Sequence, residues 1–343
     1  MECDGGLTII RRGEEVELLR PQDRKPVGRF DSGYFQKRDC PGPFSAKRGN
    51  KWFFVLENGT VLGGRNGFDS TYSFAGSHVP VQVDGKWGIT PERISIYGTE
   101  LWDSLTLEQQ ITLSNHEAGS MVSAAVWFEL MLMQVMLRDL YDDDMKSAHM
   151  HYALTEVADE CRHSTMFGKT TTKLDVPAYG PAPKIHAAGR LYVKHVKGPA
   201  AFAGILVVEE ILDVWQREMM NDERVQPLMR QISRIHVIEE ARHMSFAREE
   251  VRRGMHGLSR RQLMTQRAMV AHVVTLVTKA LVNSQVYASV GIDPKVGLAA
   301  ARSNPNYQQT LNEWGAKSVA FIREVGLLGK RNEKVWRGAF LIP

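Results

Sequence analysis

Two pentads decide the reading: Asp159-Glu160-Cys161-Arg162-His163 and, much later, Glu239-Glu240-Ala241-Arg242-His243. Both have the form (D/E)-E-x-R-H, and both fall in long segments of helical periodicity. A glutamate and a histidine three positions apart lie about 60° apart on one helical face. Each pair can therefore present a carboxylate oxygen and an imidazole nitrogen to one metal ion. Two such pairs on facing helices can hold two ions, as in carboxylate-bridged bundles.

Working outward, the pentads sit in a long helical region that begins near residue 106. Thr106-Leu-Glu-Gln109 reads as a capping box opening an apolar helix to about Leu140. A second helix is expected over 146–174, broken by the proline region 177–183. A third starts after Gly198-Pro199 and runs to about Met220. A fourth covers 225–253 and stops near Gly254. Ser259-Arg-Arg-Gln262 caps a fifth, expected to reach about Val290, with shorter elements after Pro294 and Pro305. Four of these are long enough for a bundle.

Such a site needs a carboxylate from each of two further helices. Glu129 lies in VWFELMLM and Glu209 in AGILVVEEILDVW. A lone ionised carboxylate among such neighbours is costly to bury, and a bound cation offsets that cost. Glu210 competes with Glu209, and Glu117 with Glu129. His236 lies four residues before Glu240 and seven before His243, so the fourth helix reads H-x-x-x-E-x-x-H along one face. The candidate ligand set is Glu129, Glu160, His163, Glu209, His236, Glu240 and His243. Carboxylate and imidazole without thiolate suit iron, or manganese, better than structural zinc.

Composition agrees with a folded helical protein. The chain has 343 residues, 43% hydrophobic and 24% charged, which argues against extensive disorder. Its 43 lysines and arginines against 39 acids leave a net charge of +4, too weak to indicate nucleic acid or a membrane surface. No run of 18 apolar residues suggests a membrane span. The opening MECDGGLTIIRRGEEVE lacks a signal-peptide core. Cys3, Cys40 and Cys161 cannot build a disulfide framework or a four-cysteine zinc site. The expectation is a reducing, cytoplasmic compartment.

The first 88 residues read as a separate, loop-rich extension, and 89–343 as the bundle domain. Lys51 to Leu62 reads KWFFVLENGTVL, a hairpin signal centred on Asn58-Gly59. Asp84-Gly85 suggests a second turn. The basic, proline-containing stretch 21–50 has no period and reads as loop. The expected fold class is therefore mainly α: a ferritin-like helical bundle with additional helices and a small irregular or hairpin start.

These residues resemble the p-aminobenzoate N-oxygenase family, the arylamine oxygenases among the ferritin-like di-iron oxygenases. The resemblance spans roughly 89–253. It rests on the Glu129 helix, ADECRH (Ala158 to His163), VVEE (Val207 to Glu210) and HVIEEARH (His236 to His243). That family carries an extra histidine on its fourth helix, which maps onto His236. Its lone third-helix glutamate maps onto Glu209 rather than Glu210, and its first-helix glutamate onto Glu129. The resemblance implies two iron ions, O2 as co-substrate, a small amine oxygenated at nitrogen, and electrons from an external reductase or ferredoxin. Analogy with related bundles implies a homodimer. Two other readings keep the cluster: a hydroxylase or desaturase acting on carbon of a lipid-like or carrier-bound substrate, and an iron-handling or radical-supporting protein. His236 counts against the first, and the additional helices against the second.

Several neighbours have two readings. Asp159 and Glu239 can orient the ligand histidines, since metal-bound imidazoles donate their other nitrogen to a carboxylate or carbonyl. Equally, they can pair with Arg162 and Arg242 on their own helices. Cys161 is read as a small packing residue, and Glu156 as an exposed charge rather than a proton relay. Val126, Leu132, Met133 and Met136 share the face of Glu129, and Phe202, Ile205 and Leu206 stand near Glu209, more often bundle core than pocket lining. His149 and His151 point to different sides and are not expected to bind one metal. Tyr152, two turns before Glu160, is a candidate neighbour of the metals.

Overall fold

The structure, a computed structural model, describes residues 8–12, 15–20, 23–35, 44–55, 61–62, 70–71, 81–82 and 87–343. The chain divides into two compact units, one of residues 1–84 with 226–231 and one of 85–225 with 232–343.

The N-terminal unit is built from short antiparallel strands. β1 (Thr8–Arg12), β2 (Glu15–Leu19) and β3 (Pro26–Phe30) form one sheet. β4 (Ser32–Phe35), β5 (Phe44–Arg48), β6 (Lys51–Val55) and β7 (Val61–Leu62) form a second, and β8 (Ser70–Thr71) pairs with β9 (Val81–Gln82). Val16 and Leu18 alternate inward along β2, as the two-residue strand period requires, and meet Phe30, Phe44, Phe53 and Val55 in a small core. Arg48 lies over the Phe30 and Phe53 rings and donates to the Arg29 carbonyl, so its charge stays satisfied while its stem covers apolar surface.

Two expectations meet this unit. The Lys51–Leu62 hairpin is present as the β6–β7 pair, with Val55 opposite Val61. Its Asn58-Gly59 turn and Asp84-Gly85 lie outside the described residues. The stretch 21–50 is not a loop: it contributes β3, β4 and β5. These strands pair with their sequence neighbours, but at four or five residues each they hold too few positions for a two-residue period to show.

The second unit is helical. α1 (Glu100–Asp103) leads into α2 (Leu107–Leu140), whose start is the Thr106/Gln109 capping box. α3 (Ala148–Lys173) is capped by Ser147, and α5 (Pro199–Asn221) and α6 (Pro227–Met255) both begin on proline. α4 (Pro183–His195) begins at the end of the expected 177–183 break and fills a stretch where no helix was expected. α7 (Arg260–Ala280) carries the Ser259/Gln262 capping box. It stops ten residues short of the expected end, and Ser284–Val290 is a 3-10 segment. α8 (Pro294–Ser303), α9 (Pro305–Glu324) and α10 (Glu333–Gly338) complete the unit.

α2 packs along α3, while α5 packs against α7 and α9. α5 is central: nearly every residue from Pro199 to Asp213 is buried, including Glu209, Glu210 and Asp213. The α4–α2 contact needs a bare backbone, because a Cβ on Gly189 would lie 2.3 Å from the Trp127 ring. Segments Leu107–Leu140 and Arg260–Val290 are apolar and long enough to cross a membrane by length and composition, with 56% and 50% of their apolar windows buried. α2 directs that surface, together with Glu117 and Glu129, into the protein interior.

Candidate metal centre

α2, α3, α5 and α6 converge on a cluster of buried carboxylates and imidazoles. Glu160, His163, His236 and Glu240 are fully buried, and Glu129, Glu209 and His243 are at most 4% exposed. The helical spacing does the local work: Glu160/His163 on α3 and His236/Glu240/His243 on α6 each occupy one inward stripe. Three overlapping groups have ligand atoms within 4.8 Å of one another: Glu160, His163, Glu240 and His243; Glu129, His163 and His236; and Glu209, His236 and Glu240. All seven residues singled out from the sequence are thereby brought together.

Glu160 and Glu240 stand between the histidines. Glu160 Oε2 lies 2.8 Å from His163 Nδ1, and its Oε1 lies 2.7 Å from His243 Nδ1 without hydrogen-bond geometry. Glu240 Oε2 is 3.0 Å from His243 Nδ1, 3.7 Å from His163 Nδ1 and 3.6 Å from His236 Nε2. His236 Nε2 is also 3.4 Å from Glu129 Oε1.

Each imidazole turns its other nitrogen outward to an acceptor. His163 Nε2 donates to Glu239 Oε2 at 2.9 Å, and His243 Nε2 to Asp159 Oδ2 at 3.3 Å. His236 Nδ1 donates to the side-chain carbonyl of Gln216 at 2.7 Å. With those protons held outside, Nδ1 of His163, Nδ1 of His243 and Nε2 of His236 are left to offer lone pairs inward. Gln216 is a part of the site that sequence reasoning did not single out. The signal was present: it lies seven residues after Glu209, on the same face of α5.

Asp159 thus adopts both of its readings, while Glu239 orients a histidine and pairs with the arginine of the facing helix rather than its own. Asp159 pairs with Arg162 on its own helix at 2.7 Å and with Arg242 across the interface at 3.2 Å. Glu239 binds Arg162 from the opposite helix at 3.0 Å. The arginines sit at the exposed edge and screen the outer carboxylates.

The competing acids resolve by their partners. Glu210 is ion-paired with Arg248. Glu117 accepts from the Ser95 amide at 3.0 Å and bonds the Ser95 hydroxyl, which is 2.8 Å from the Tyr287 hydroxyl. Burial pushes the Glu117 carboxyl up to about 7. Neither acid belongs to the metal-ligating groups. Glu156 is buried, not exposed, and burial pushes its carboxyl up to about 8. Cys161 is exposed rather than a packing residue, its sulfur 3.5 Å from that of Met133. His149 faces Asp143 and Glu250 while His151 faces the Met145 carbonyl, so the two diverge as expected. Tyr152 is 40% exposed, its ring tilted against that of Phe246.

The electrostatics describe a site built around positive charge. Burial, then the neighbouring charges of Glu160, Glu209 and Glu240, drives the Glu129 carboxyl far above its ordinary value. Burial and the charges of Glu240 and Glu160 do the same to Glu209. Against its burial, Glu160 is held below its ordinary value by His163 and His243. Against burial likewise, Glu160 and Glu240 push the His243 imidazole up to about 11. Burial and the cationic neighbours keep His236 neutral. Four carboxylates in one dry pocket exceed what two imidazolium groups neutralise. One oxygen each of Glu129, Glu160, Glu209 and Glu240 has no hydrogen-bond partner in the structure. Unsatisfied buried carboxylate oxygens among imidazole nitrogens are the donor set of a hard-to-borderline divalent ion, which takes the place of the imidazolium protons, and the residues fit an iron or manganese pair.

Comparison with known proteins agrees with this geometry. A family model described as P-aminobenzoate N-oxygenase AurF matches residues 78–326. Among curated proteins, the chain is similar to the Uncharacterized protein Rv0885 and the Uncharacterized protein MT0908, both from Mycobacterium tuberculosis strains. It is also similar to the Uncharacterized protein Mb0909 of Mycobacterium bovis. Each is 25% identical over 264 residues, covering 74% of this chain and 76% of the relative.

Proposed function

This chain belongs to the P-aminobenzoate N-oxygenase AurF family, and from that premise we propose that it is a non-haem di-iron oxygenase that uses O2 to oxygenate the nitrogen of an aromatic or other small amine. The observation that carries the reading is the buried set of four glutamates and three histidines, in which one oxygen of each glutamate has no hydrogen-bond partner.

In this reading Glu129, Glu160, His163, Glu209, His236, Glu240 and His243 hold two irons, with manganese the competing ion. Glu160 and Glu240, which lie between the histidines, would contribute carboxylate oxygens to the pair. Two bound irons supply the reduction of O2 and the transfer of an oxygen atom. The chain's own tasks are different. Glu239, Asp159 and Gln216 keep a proton on the outer nitrogen of each histidine and so hold each ring in its ligating orientation. The packed faces of α2 and α5 exclude bulk water. Seven donor residues do not saturate two six-coordinate ions, so the ligand set leaves room for chemistry.

The overall change balances simply. An amine, O2, two electrons and two protons give a hydroxylamine and water, with one oxygen atom entering the new N–O bond. The electrons come from an external donor, a reductase or ferredoxin.

The test is metal stoichiometry after anaerobic loading with ferrous iron, followed by 18O2 and an arylamine panel. About two irons per chain and label in an N–O product support the reading. A mononuclear count, or label only in C–O products, overturns it.

A further inference from the structure

A cavity of about 330 Å3 opens at one end of the bundle, a volume in the range of small-molecule sites. Its inner wall is apolar and comes from the four ligand-bearing helices. Met136 lies seven residues after Glu129 on α2. Ala153 lies seven before Glu160 on α3, and Phe202 seven before Glu209 on α5. Phe246 lies three after His243 on α6. Seven residues are two helical turns, about 10 Å along the axis on the same face. The ligand stripes of all four helices therefore continue into this cavity. One turn nearer the ligands is Glu156, 4% exposed, whose Oε1 has no hydrogen-bond partner in the structure.

The outer rim has a different character. It carries the carboxylates of Asp139, Asp142, Asp143 and Glu250, with Arg253 as its guanidinium. Arg253 is already engaged by Glu250 and by His149 at 3.2 Å, and Arg138 neutralises Asp139 at 2.8 Å. Four carboxylates against two guanidinium groups leave an acidic mouth above an apolar barrel. An amine entering nitrogen-first leaves its far end at this rim. A carboxylate there meets like charge and finds the guanidinium occupied, while a neutral or ammonium group meets none of that repulsion.

We propose that this cavity is the substrate site and that it selects amines whose far end is neutral or cationic over amines that carry a carboxylate there. The proposal rests on the amine-oxygenase reading and adds the class of amine. It separates this chain's preference from the aminobenzoate in its family's description.

Binding, not turnover, tests it. Equilibrium dialysis of the iron-loaded protein is run without reductant against 4-aminobenzylamine, 4-methylaniline and p-aminobenzoate. The expected result is binding of the first two about tenfold or more tighter than the third, a difference of about 1.4 kcal/mol. Asp142→Lys, an exposed residue between α2 and α3, should erase that preference with iron content unchanged. Ala153→Trp should fill the cavity and abolish binding of all three. Tighter binding of p-aminobenzoate to the wild type overturns the proposal. So does a preference that Asp142→Lys leaves intact, or binding that survives a folded, iron-loaded Ala153→Trp. If the expected order holds but no N-oxygenated product forms, the oxygenase reading fails while the binding preference stands. If p-aminobenzoate binds best and is N-oxygenated, the reverse is true.

Discussion

Glu239 on α6 accepts a hydrogen bond from His163 on α3, 2.9 Å from Nε2 to Oε2. The reciprocal contact joins Asp159 on α3 to His243 on α6 at 3.3 Å. Each pentad therefore holds the other pentad's histidine, and the sequence echo is a crossed pair of straps in space. An acid and the histidine four residues on share a helical face, so spacing alone would allow a bond within one helix. Both acids instead bond the histidine of the facing helix, a choice made by how α3 and α6 pack.

The straps should tune the metal rather than the fold. Glu239→Gln and Asp159→Asn keep an acceptor but lose its charge, so iron affinity should fall within about 10- to 100-fold. Competitive chelator titration of loaded protein measures it. Unchanged affinity in both variants would show that the arginine pairs, not the histidines, are what these acids serve.

Gln216 should matter through one ring only. Gln216→Leu removes the acceptor for His236 Nδ1 and leaves that buried donor unsatisfied, a cost of about 1–3 kcal/mol. The expected phenotype is two bound irons with one altered Mössbauer doublet. Identical spectra for variant and wild type would remove Gln216 from the site.

Glu209→Gln should have effects of opposite sign in the two metal states. Burial and the charges of Glu240 and Glu160 oppose an ionised Glu209, so the amide should raise the melting temperature of the metal-free protein at neutral pH. The same change should lower iron affinity. Melting curves with and without ferrous iron measure both, and a variant less stable than wild type only when metal-free would contradict the charge-excess account.

Glu117 predicts a pH dependence separate from the metals. Its folded carboxyl lies at about 7 against 4.5 for the unfolded chain, so the folded state holds the proton more tightly. That contribution is full below about pH 4.5 and is lost as pH rises through about 7, a swing of about 3 kcal/mol for a fully buried group. Glu117→Gln can keep both Ser95 bonds and does not titrate. Between pH 5 and 8, the melting temperature of iron-loaded wild type should fall more than that of the variant. Parallel curves would refute this assignment.

Removing a ligand outright gives the simplest outcome. Glu160→Ala and His243→Ala should each lose bound iron and abolish turnover, while far-UV circular dichroism keeps its helical form. Iron analysis and product formation check this together, and full activity in Glu160→Ala would remove the site.

Much of the architecture was legible in the residues alone. Capping boxes at Thr106 and Ser259 and prolines at 199, 294 and 305 mark helix starts because they answer local needs of the backbone. The Glu160/His163 and His236/Glu240/His243 stripes follow from the 3.6-residue period, which requires no knowledge of neighbours. The strands over 26–48 and the helix Pro183–His195 were not legible. Strands of four or five residues are too short to show a period, and α4 is held by Gly189 lying against Trp127.

The sequence by itself determined which residues share a helical face, and hence that two carboxylate–imidazole pairs were available. Only the tertiary structure decided which neighbours complete them. Glu209 turns to the cluster while Glu210 turns to Arg248, although both sit in the same apolar run. Glu129 joins the histidines while Glu117 joins Ser95. It also decided which nitrogen of each histidine faces inward, because that depends on Glu239, Asp159 and Gln216 arriving from other helices or other turns. Spacing along one helix is set by the geometry of a single chain segment. The rotational phase of one helix against another is set by how their side chains interlock, and no single segment contains that information.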